Sequence, residues 1–351
     1  MLGKLKNFVT NQGGQLNFSS DIQVSVLITF YNQKDSIERT LLSVLNQKTN
    51  FNYEILVGDD GSTDGTYECL KEWELKYNSL IQVFRMPRAK SVKYEPIVRV
   101  SNNRHNLLVH AKGKYLTFLD GDDYYTNENK LQIQKDILDS DPKLSACCHP
   151  FKMVWDNGQH EDKICGQLSS NYFSMSWKIY WLLTWIHAEC FLFKNSYKNK
   201  ENLINKNLFD DNLITLYFIK SGNIAYTPEN MINYVQHESS SWNERSEIEK
   251  AYANMMLYQE ANKIIPKYKF LTFFKLQSVF SSFYKSRNAN LNFNYDQTFK
   301  LTNLFFIETQ KYFNSSIYIK FLYHLKYFVP CHLSLLKRTI NKFIRVIIKL
   351  R

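Results

Sequence analysis

The sequence predicts an α/β protein: a doubly wound, mostly parallel sheet flanked by helices and followed by a helical C-terminal region. Three observations predict it. Short apolar, β-branched runs alternate with amphipathic helical stretches, the pattern of right-handed strand-helix-strand crossovers. The first runs are mainly apolar with no polar alternation, as strands buried on both faces require. Two acidic turns, around Asp59-Asp60 and around Asp120-Asp122, stand just beyond strand ends, where such sheets bind ligands.

The elements follow in order. "VSVLITFY", Val24 to Tyr31, is the first strand. "DSIERTLLSVLNQ" then sets Ile37, Leu41, Val44 and Leu45 at helical spacing, and Asp35-x-x-Glu38 predicts a capping box at its start. "YEILVGDDGSTDGT" is a second strand that stops at Asp59, followed by turn residues and a helix with Tyr67, Leu70, Trp73 and Tyr77 on one stripe. "IQVFRM" is the third strand, the basic stretch from Arg85 to His105 a long loop, and "RHNLLVHA" part of a helix. "GKYLTFLD" is the fourth strand.

From about Leu144 the pattern loosens into mixed strands, "LSACCHPFKMVW", "AECFLFKN" and "MINYVQH", around an apolar helix "LITLYFIKSG" whose Gly222 is expected as a C-cap. Beyond Glu247 the pattern is helical, with Pro266 and Pro330 as breaks. The expected organisation is an N-terminal extension 1–22, a domain 23–245 in two halves, 23–125 and 126–245, and a basic, aromatic-rich helical region 246–351.

Composition narrows the class. With 351 residues, 44% of them hydrophobic, 23 Tyr, 25 Phe and few Gly or Pro, the chain is a folded protein and neither disordered nor fibrous. Its net charge of +11 suggests nucleic acid until the charge is located. After Glu308 there is no Asp or Glu, while nine Lys and Arg follow. The body is close to neutral, so no nucleic-acid partner is expected.

Six cysteines without a CxxC pair or metal-like spacing point to free thiols and a reducing compartment. The first residues lack the apolar run of roughly seven or more that a secretory signal needs. The apolar stretch "IYWLLTWI" is far short of the roughly 20 residues that span a bilayer.

"YLTFLDGDDYYT" carries the sharpest chemistry. Asp120, Asp122 and Asp123 crowd around Gly121 at a strand end, and like charges so close need a cation or donor groups between them. Carboxylates in this setting suit Mg²⁺ or Mn²⁺, held by one or two acids plus phosphate oxygens. The glycine is expected to let the backbone pass close to a ligand.

"VSVLITFYNQKDSIERTLLSVLNQ", "YEILVGDDGSTDGT", "GKYLTFLDGDD", "FDDNLITLYFIKSGNIAY" and "YVQHESSSW", in this order, resemble the family-two glycosyltransferases of the GT-A fold over roughly Val24 to Trp242. The resemblance implies a metal-dependent inverting transfer of a sugar from a UDP-sugar, less readily a dTDP-sugar, to a hydroxyl of a growing bacterial surface glycan. Thr29 and Tyr31 would line the base pocket, with Asp60 accepting a hydrogen bond from the nucleobase imide. Asp120 would face the ribose, and Asp122, with Asp120 and His237, the metal. Arg104 would contact diphosphate or base, with Arg85, Arg88 and Arg99 as weaker candidates.

Asp211, with Asp210 as its substitute, is the implied general base. One of the two is also placed to cap the helix that follows. His187 and Glu189 would edge the acceptor pocket. The family's arginine two residues before the histidine is replaced by Val235, so one diphosphate contact is missing or made elsewhere. Trp177, Trp181 and Trp185 suit core better than a sugar platform.

"SLLKRTINKFIRVIIKLR" puts Leu336, Ile340, Phe343 and Ile347 on one helical face, and Arg338, Lys342, Arg345 and Lys349 on the other. That pattern suits a helix lying on an anionic membrane, or packing on the protein itself. The expected location is the cytoplasmic face of a bacterial inner membrane, with a glycan or lipid-linked glycan as acceptor. Two alternatives share the fold: an inactive transferase-like protein that still binds nucleotide sugars, and a nucleotidyltransferase. The second should carry a Gly-rich basic phosphate loop after the first strand, and "FYNQKDS" is not one.

Overall fold

The structure is a computed structural model and describes residues 21–89, 92, 95–156, 161–197, 205–237, 245–268, 271, 272 and 275. The N-terminal extension to residue 20, residues 238–244, Lys93, Cys331 and the segment 334–351, where the sequence predicts an amphipathic helix, lie outside the described residues.

The first half alternates as expected: β1 (Val24–Phe30), α1 (Ile37–Leu45), β2 (Tyr53–Asp59), α2 (Thr66–Lys76), β3 (Ile81–Arg85), α3 (Pro96–His110) and β4 (Tyr115–Asp120). The second half adds β5 (Tyr124–Tyr125), α4 (Lys130–Ser140), β6 (Leu144–Cys148), β7 (Phe151–Trp155), β8 (Lys163–Cys165), β9 (Phe173–Ser176) and α5 (Trp177–Leu183). It continues with β10 (Phe191–Lys194), α6 (Asp211–Ile219), β11 (Asn223–Tyr226), β12 (Ile232–Gln236) and α7 (Glu247–Ile264).

The main sheet runs β3-β2-β1-β4-β10-β6-β11-β9, and a smaller one β5-β12-β7-β8. β1 pairs in parallel with β2 and β4, and β2 with β3. β10 enters antiparallel between β4 and β6. Every residue of β1 is buried, which is why its sequence shows no alternation. Register levels the strand tips, since Thr29 lies opposite Asp120 and Phe30 opposite Asp59. Both acidic turns therefore stand on one crest of the sheet.

Met255, Leu257, Tyr258, Ala261 and Ile264 of α7 belong to the same hydrophobic cluster as the sheet. The start of the C-terminal region is thus packed on the catalytic body. Trp177 and Trp181 join that core, whereas Trp185 is 49% exposed. The five described cysteines are free.

Several local expectations are corrected. No capping box forms at Asp35 and Glu38; a 3-10 turn precedes α1, and Ser36, at the N-cap, donates instead to the Gly121 carbonyl at 2.6 Å. The basic loop ends at Glu95, because Pro96 opens α3 with the fixed φ suited to a first helical turn. "LSACCHPFKMVW" is two strands in different sheets, broken at Pro150, which lacks the N–H a continuous ladder needs.

Gly222 is not a left-handed cap. A Cβ there would stand 2.5 Å from the Lys143 carbonyl oxygen, so close packing on the chain before β6 requires the glycine. Gly121 is explained similarly: a Cβ would meet the Phe30 ring at 2.2 Å. The constraint there is packing on β1, and no ligand is needed to account for it.

Candidate active site

The nucleotide side is built at the ends of β1 and β2. Asp59 is fully buried and accepts from the backbone N–H groups of Gly61 and Ser62, at 3.1 and 3.2 Å, closing its own turn. Asp60 turns the other way. Arg88 Nε donates to its Oδ1 at 2.7 Å and Arg99 Nε to its Oδ2 at 2.9 Å. Arg99 also lies over the Tyr31 ring, 3.9 Å from its centroid, and Tyr31 is 46% exposed. Sequence reasoning ranked these two arginines low; the structure seats both on the acid expected to meet the base.

At the DGDD turn each acid is neutralised differently. Asp120 receives Arg104 Nη2 at 2.9 and 3.1 Å and the Thr29 hydroxyl at 2.9 Å. Asp122 Oδ2 lies 3.0 Å from His237 Nε2, whose Nδ1 is 2.5 Å from Asp156 Oδ2. The hydrogen bonds to Asp122 and Asp156 raise His237 to about 9. Asp123 and Glu189 are both buried and hydrogen-bonded to each other, and burial pushes both well above the usual carboxylate range. Each leaves one oxygen with no other partner, so one shared proton satisfies the pair.

The cation expected at this turn is thus supplied in part by the protein. α1 holds the turn's carbonyls in place: Thr40 Oγ1 donates to Gly121 O and Asp123 O at 2.9 and 2.8 Å, and Arg39 Nη2 to Asp122 O at 2.8 Å.

A divalent ion fits part of this arrangement. Cis ligands around Mg²⁺ or Mn²⁺ at roughly 2.1 Å stand about 3 Å apart, the separation of Asp122 Oδ2 and His237 Nε2, and Asp156 behind the imidazole is the outer-shell partner that metal-binding histidines need. The expected third donor, Asp120, is not brought to them. Among the described residues no three acid, histidine or cysteine side chains converge on a common point, so diphosphate oxygens and water would complete the shell.

On the acceptor side, Asp210 is the helix cap. It accepts from Leu213 N–H at 2.9 Å, and burial, with the Asp211 charge, raises it to about 6. Asp211 faces the crest. Arg104 Nη1 lies 2.8 Å from its Oδ1 and His187 Nε2 3.1 Å from its Oδ2. Burial opposes ionisation of Asp211, yet Arg104 and His187 together hold it well below the usual carboxylate range.

For His187 burial favours the neutral ring, but Asp211 and Glu189 raise it to about 9. Arg104, 4% exposed, therefore joins Asp120 to Asp211. Glu189 does not edge a pocket: it is 1% exposed, beneath the turn, accepting the Asp120 N–H at 2.7 Å. Val235, in the arginine's place, uses its backbone N–H to hold Asp123 at 2.6 Å.

Fold and crest together define a glycosyltransferase of the GT-A class. The chain belongs to glycosyl transferase family 2, whose description matches residues 25–200. It is 28% identical over 229 residues to an uncharacterized protein of Mycobacterium bovis; the match covers 62% of this chain and spans only 60% of that relative's length. It is 36% identical over 102 residues to the UDP-Glc:alpha-D-GlcNAc-diphosphoundecaprenol beta-1,3-glucosyltransferase WfaP of Escherichia coli, covering 29% of this chain and 36% of that one.

Among solved structures, S. aureus TarS 1-349, crystallised with UDP-GlcNAc, aligns with a TM-score of 0.57 over 81% of each chain at 18% identity, a likeness of fold. The chain's relatives in this family include bacterial glycosyltransferases, one of them, from Bacillus subtilis and 36% identical over 115 residues, named for teichuronic acid biosynthesis.

Proposed function

We propose that the protein transfers a sugar, with inversion, from a UDP-sugar to a hydroxyl of a bacterial surface glycan, with Mn²⁺ or Mg²⁺ as cofactor. The observation that carries this reading is the Arg104 bridge, at 2.9 Å to Asp120 and 2.8 Å to Asp211. One guanidinium ties the donor-side acid to the acid offered as base. Asp211, ionised, accepts the proton of the acceptor hydroxyl. That oxygen then bonds to the anomeric carbon as the carbon–oxygen bond to diphosphate breaks on the opposite face. His187 holds the carboxylate while it does so.

A uracil or thymine imide edge presents acceptor, donor, acceptor. Asp60 between Arg88 and Arg99 carries the complementary acceptor and donors, with Arg99 itself resting on the Tyr31 ring. Guanine and cytosine edges do not match it. WfaP is named for a UDP-Glc donor, in keeping with this choice. Asp122 and His237 would hold the ion, which when bound neutralises the departing diphosphate.

Thr29 serves by fixing Asp120. The proposed limits are 23–245 for the glycosyltransferase domain and 246–351 for a basic, aromatic-rich, membrane-associating region. The tail helix 334–351 is proposed to seat the enzyme on an anionic membrane near a lipid-linked acceptor; among the described residues no helix is long and apolar enough to cross one.

The test is nucleoside diphosphate release from a panel of UDP-, dTDP- and GDP-sugars with and without Mn²⁺. Metal-dependent release from a UDP-sugar is expected; release from GDP-sugars alone would overturn the base assignment.

A further inference from the structure

Most cations at the crest are already bound to the protein's own acids. Arg88 and Arg99 close on Asp60, Arg104 on Asp120 and Asp211, His187 on Asp211, and His237 on Asp122 and Asp156. β12, which leads to His237, contributes no lysine or arginine. Arg85 leans toward Asp59 at 3.6 Å, and at the tip of β3 it stands three strands over from β4 and the turn that follows it.

Arg39 is placed otherwise. It sits exposed on the first turn of α1, and two contacts fix its guanidinium: Nη2 donates to the Asp122 carbonyl at 2.8 Å, and the group lies over the Tyr124 ring, 4.7 Å from the centroid. The ring is anchored in turn, because Asn233 Nδ2 donates to the Tyr124 hydroxyl oxygen at 2.8 Å across the β5–β12 pairing. An exposed arginine ordinarily samples many rotamers. This one is held beside the acid proposed to carry the ion, and of its five N–H groups only one has a partner among the described residues. No described carboxylate forms an ion pair with it.

We propose that Arg39 is a phosphate-binding residue, which grips the terminal phosphate of the nucleoside diphosphate and stabilises that group as it departs. A planar fork of N–H donors matches phosphate oxygens. When the bond to the anomeric carbon breaks, its electron pair stays on the phosphate oxygen and the diphosphate gains one negative charge. A fixed cation beside it therefore acts more strongly on the transition state than on the intact donor. Tyr124 and Asn233 are positioning residues that act through Arg39. The inference rests on the nucleotide reading of the crest proposed above.

Calorimetry on the full chain tests it with UDP and UMP, each in Mn²⁺ and in EDTA. Arg39→Gln keeps an N–H for the Asp122 carbonyl and drops the charge. It should weaken UDP about tenfold or more in both media, the scale of a lost charge-assisted hydrogen bond, while UMP, which lacks the terminal phosphate, changes by less than about twofold. Arg39→Lys, with the charge but not the fork, should fall between. Tyr124→Leu should reproduce part of the UDP loss and add nothing in an Arg39→Gln background, since it acts through the same guanidinium.

A loss seen in Mn²⁺ and absent in EDTA would reduce Arg39 to a clamp on the Asp122 turn and overturn the proposal, as would UDP and UMP weakened alike. UDP uptake indifferent to Arg39 overturns this inference alone. No uptake of either nucleotide by the wild type would overturn the nucleotide reading itself, and this inference with it.

Discussion

His187 Nε2 lies 3.1 Å from Asp211 Oδ2, and the imidazole is buried with its charge balanced by that carboxylate. The folded-state value of about 9 lies above the ordinary 6.5. A raised value means that the folded chain holds the extra proton, so this contribution to stability is complete below pH 6.5 and is lost as pH rises through about 9. His187→Gln keeps a neutral donor but no titration. Thermal unfolding of both proteins between pH 6 and 10 should show the wild-type advantage shrinking as pH rises. A gap that stays constant would remove the charge from the account.

Glu189 and Asp123 share a proton beneath the turn, with Glu189 also holding the Asp120 N–H at 2.7 Å. A glutamine presents the same shape with an N–H in place of the acid proton. Glu189→Gln should therefore unfold within a few degrees of wild type at pH 7. Glu189→Ala, which leaves Asp123 buried without its partner, should cost about 3 kcal/mol or more. Equal melting of the two variants would show that the pair is not protonated as described.

Asp122 and His237 face each other at 3.0 Å. If they hold the ion, Asp122→Asn and His237→Ala should each raise the Mn²⁺ concentration needed for half-maximal UDP release by about tenfold or more, and Asp156→Ala by less, since it acts through the imidazole. Titration of Mn²⁺ against release checks this, and an unchanged requirement in Asp122→Asn would move the metal elsewhere.

The Arg88–Asp60–Arg99 group, with Asp60 contacts of 2.7 and 2.9 Å, should set base selectivity. Losing a hydrogen bond to a charged acceptor is worth about 1.5–3 kcal/mol. Calorimetry should find UDP binding weakened about tenfold to a hundredfold in Asp60→Asn, with the preference for UDP over GDP largely gone. Selectivity kept in that variant would contradict the imide match.

The sheet was legible because its first strands are β-rich, mainly apolar runs without polar alternation, as Val24 to Phe30 is, and such runs are buried on both faces. The acids at the crest were legible too, since Asp60, Asp120 and Asp122 follow those strands directly. What surrounds them was not. Asp156 reaches His237 across 81 positions because β7 and β12 pair in parallel and end side by side, and Arg99 reaches Asp60 across 39 from the first turn of α3, long-range placements that no local pattern encodes. Asp210 and Asp211 differ only in which side of a helix start they occupy, so the cap and the base separate once the turn of α6 is known. Glu189 looked like a pocket residue because acids are seldom buried; the partner that permits it, Asp123, lies 66 residues earlier in the chain.

The central claim is that the Arg104-bridged carboxylate of Asp211 takes the acceptor's proton while the nucleotide is held by other groups. The most direct measurement compares wild type with Asp211→Asn in two readouts on one preparation: UDP affinity by calorimetry with Mn²⁺, and UDP release from the donor found in the panel. The account expects affinity within about threefold of wild type and turnover lower by about a hundredfold to ten-thousandfold, the range of a lost general base. Turnover that survives in Asp211→Asn would contradict it.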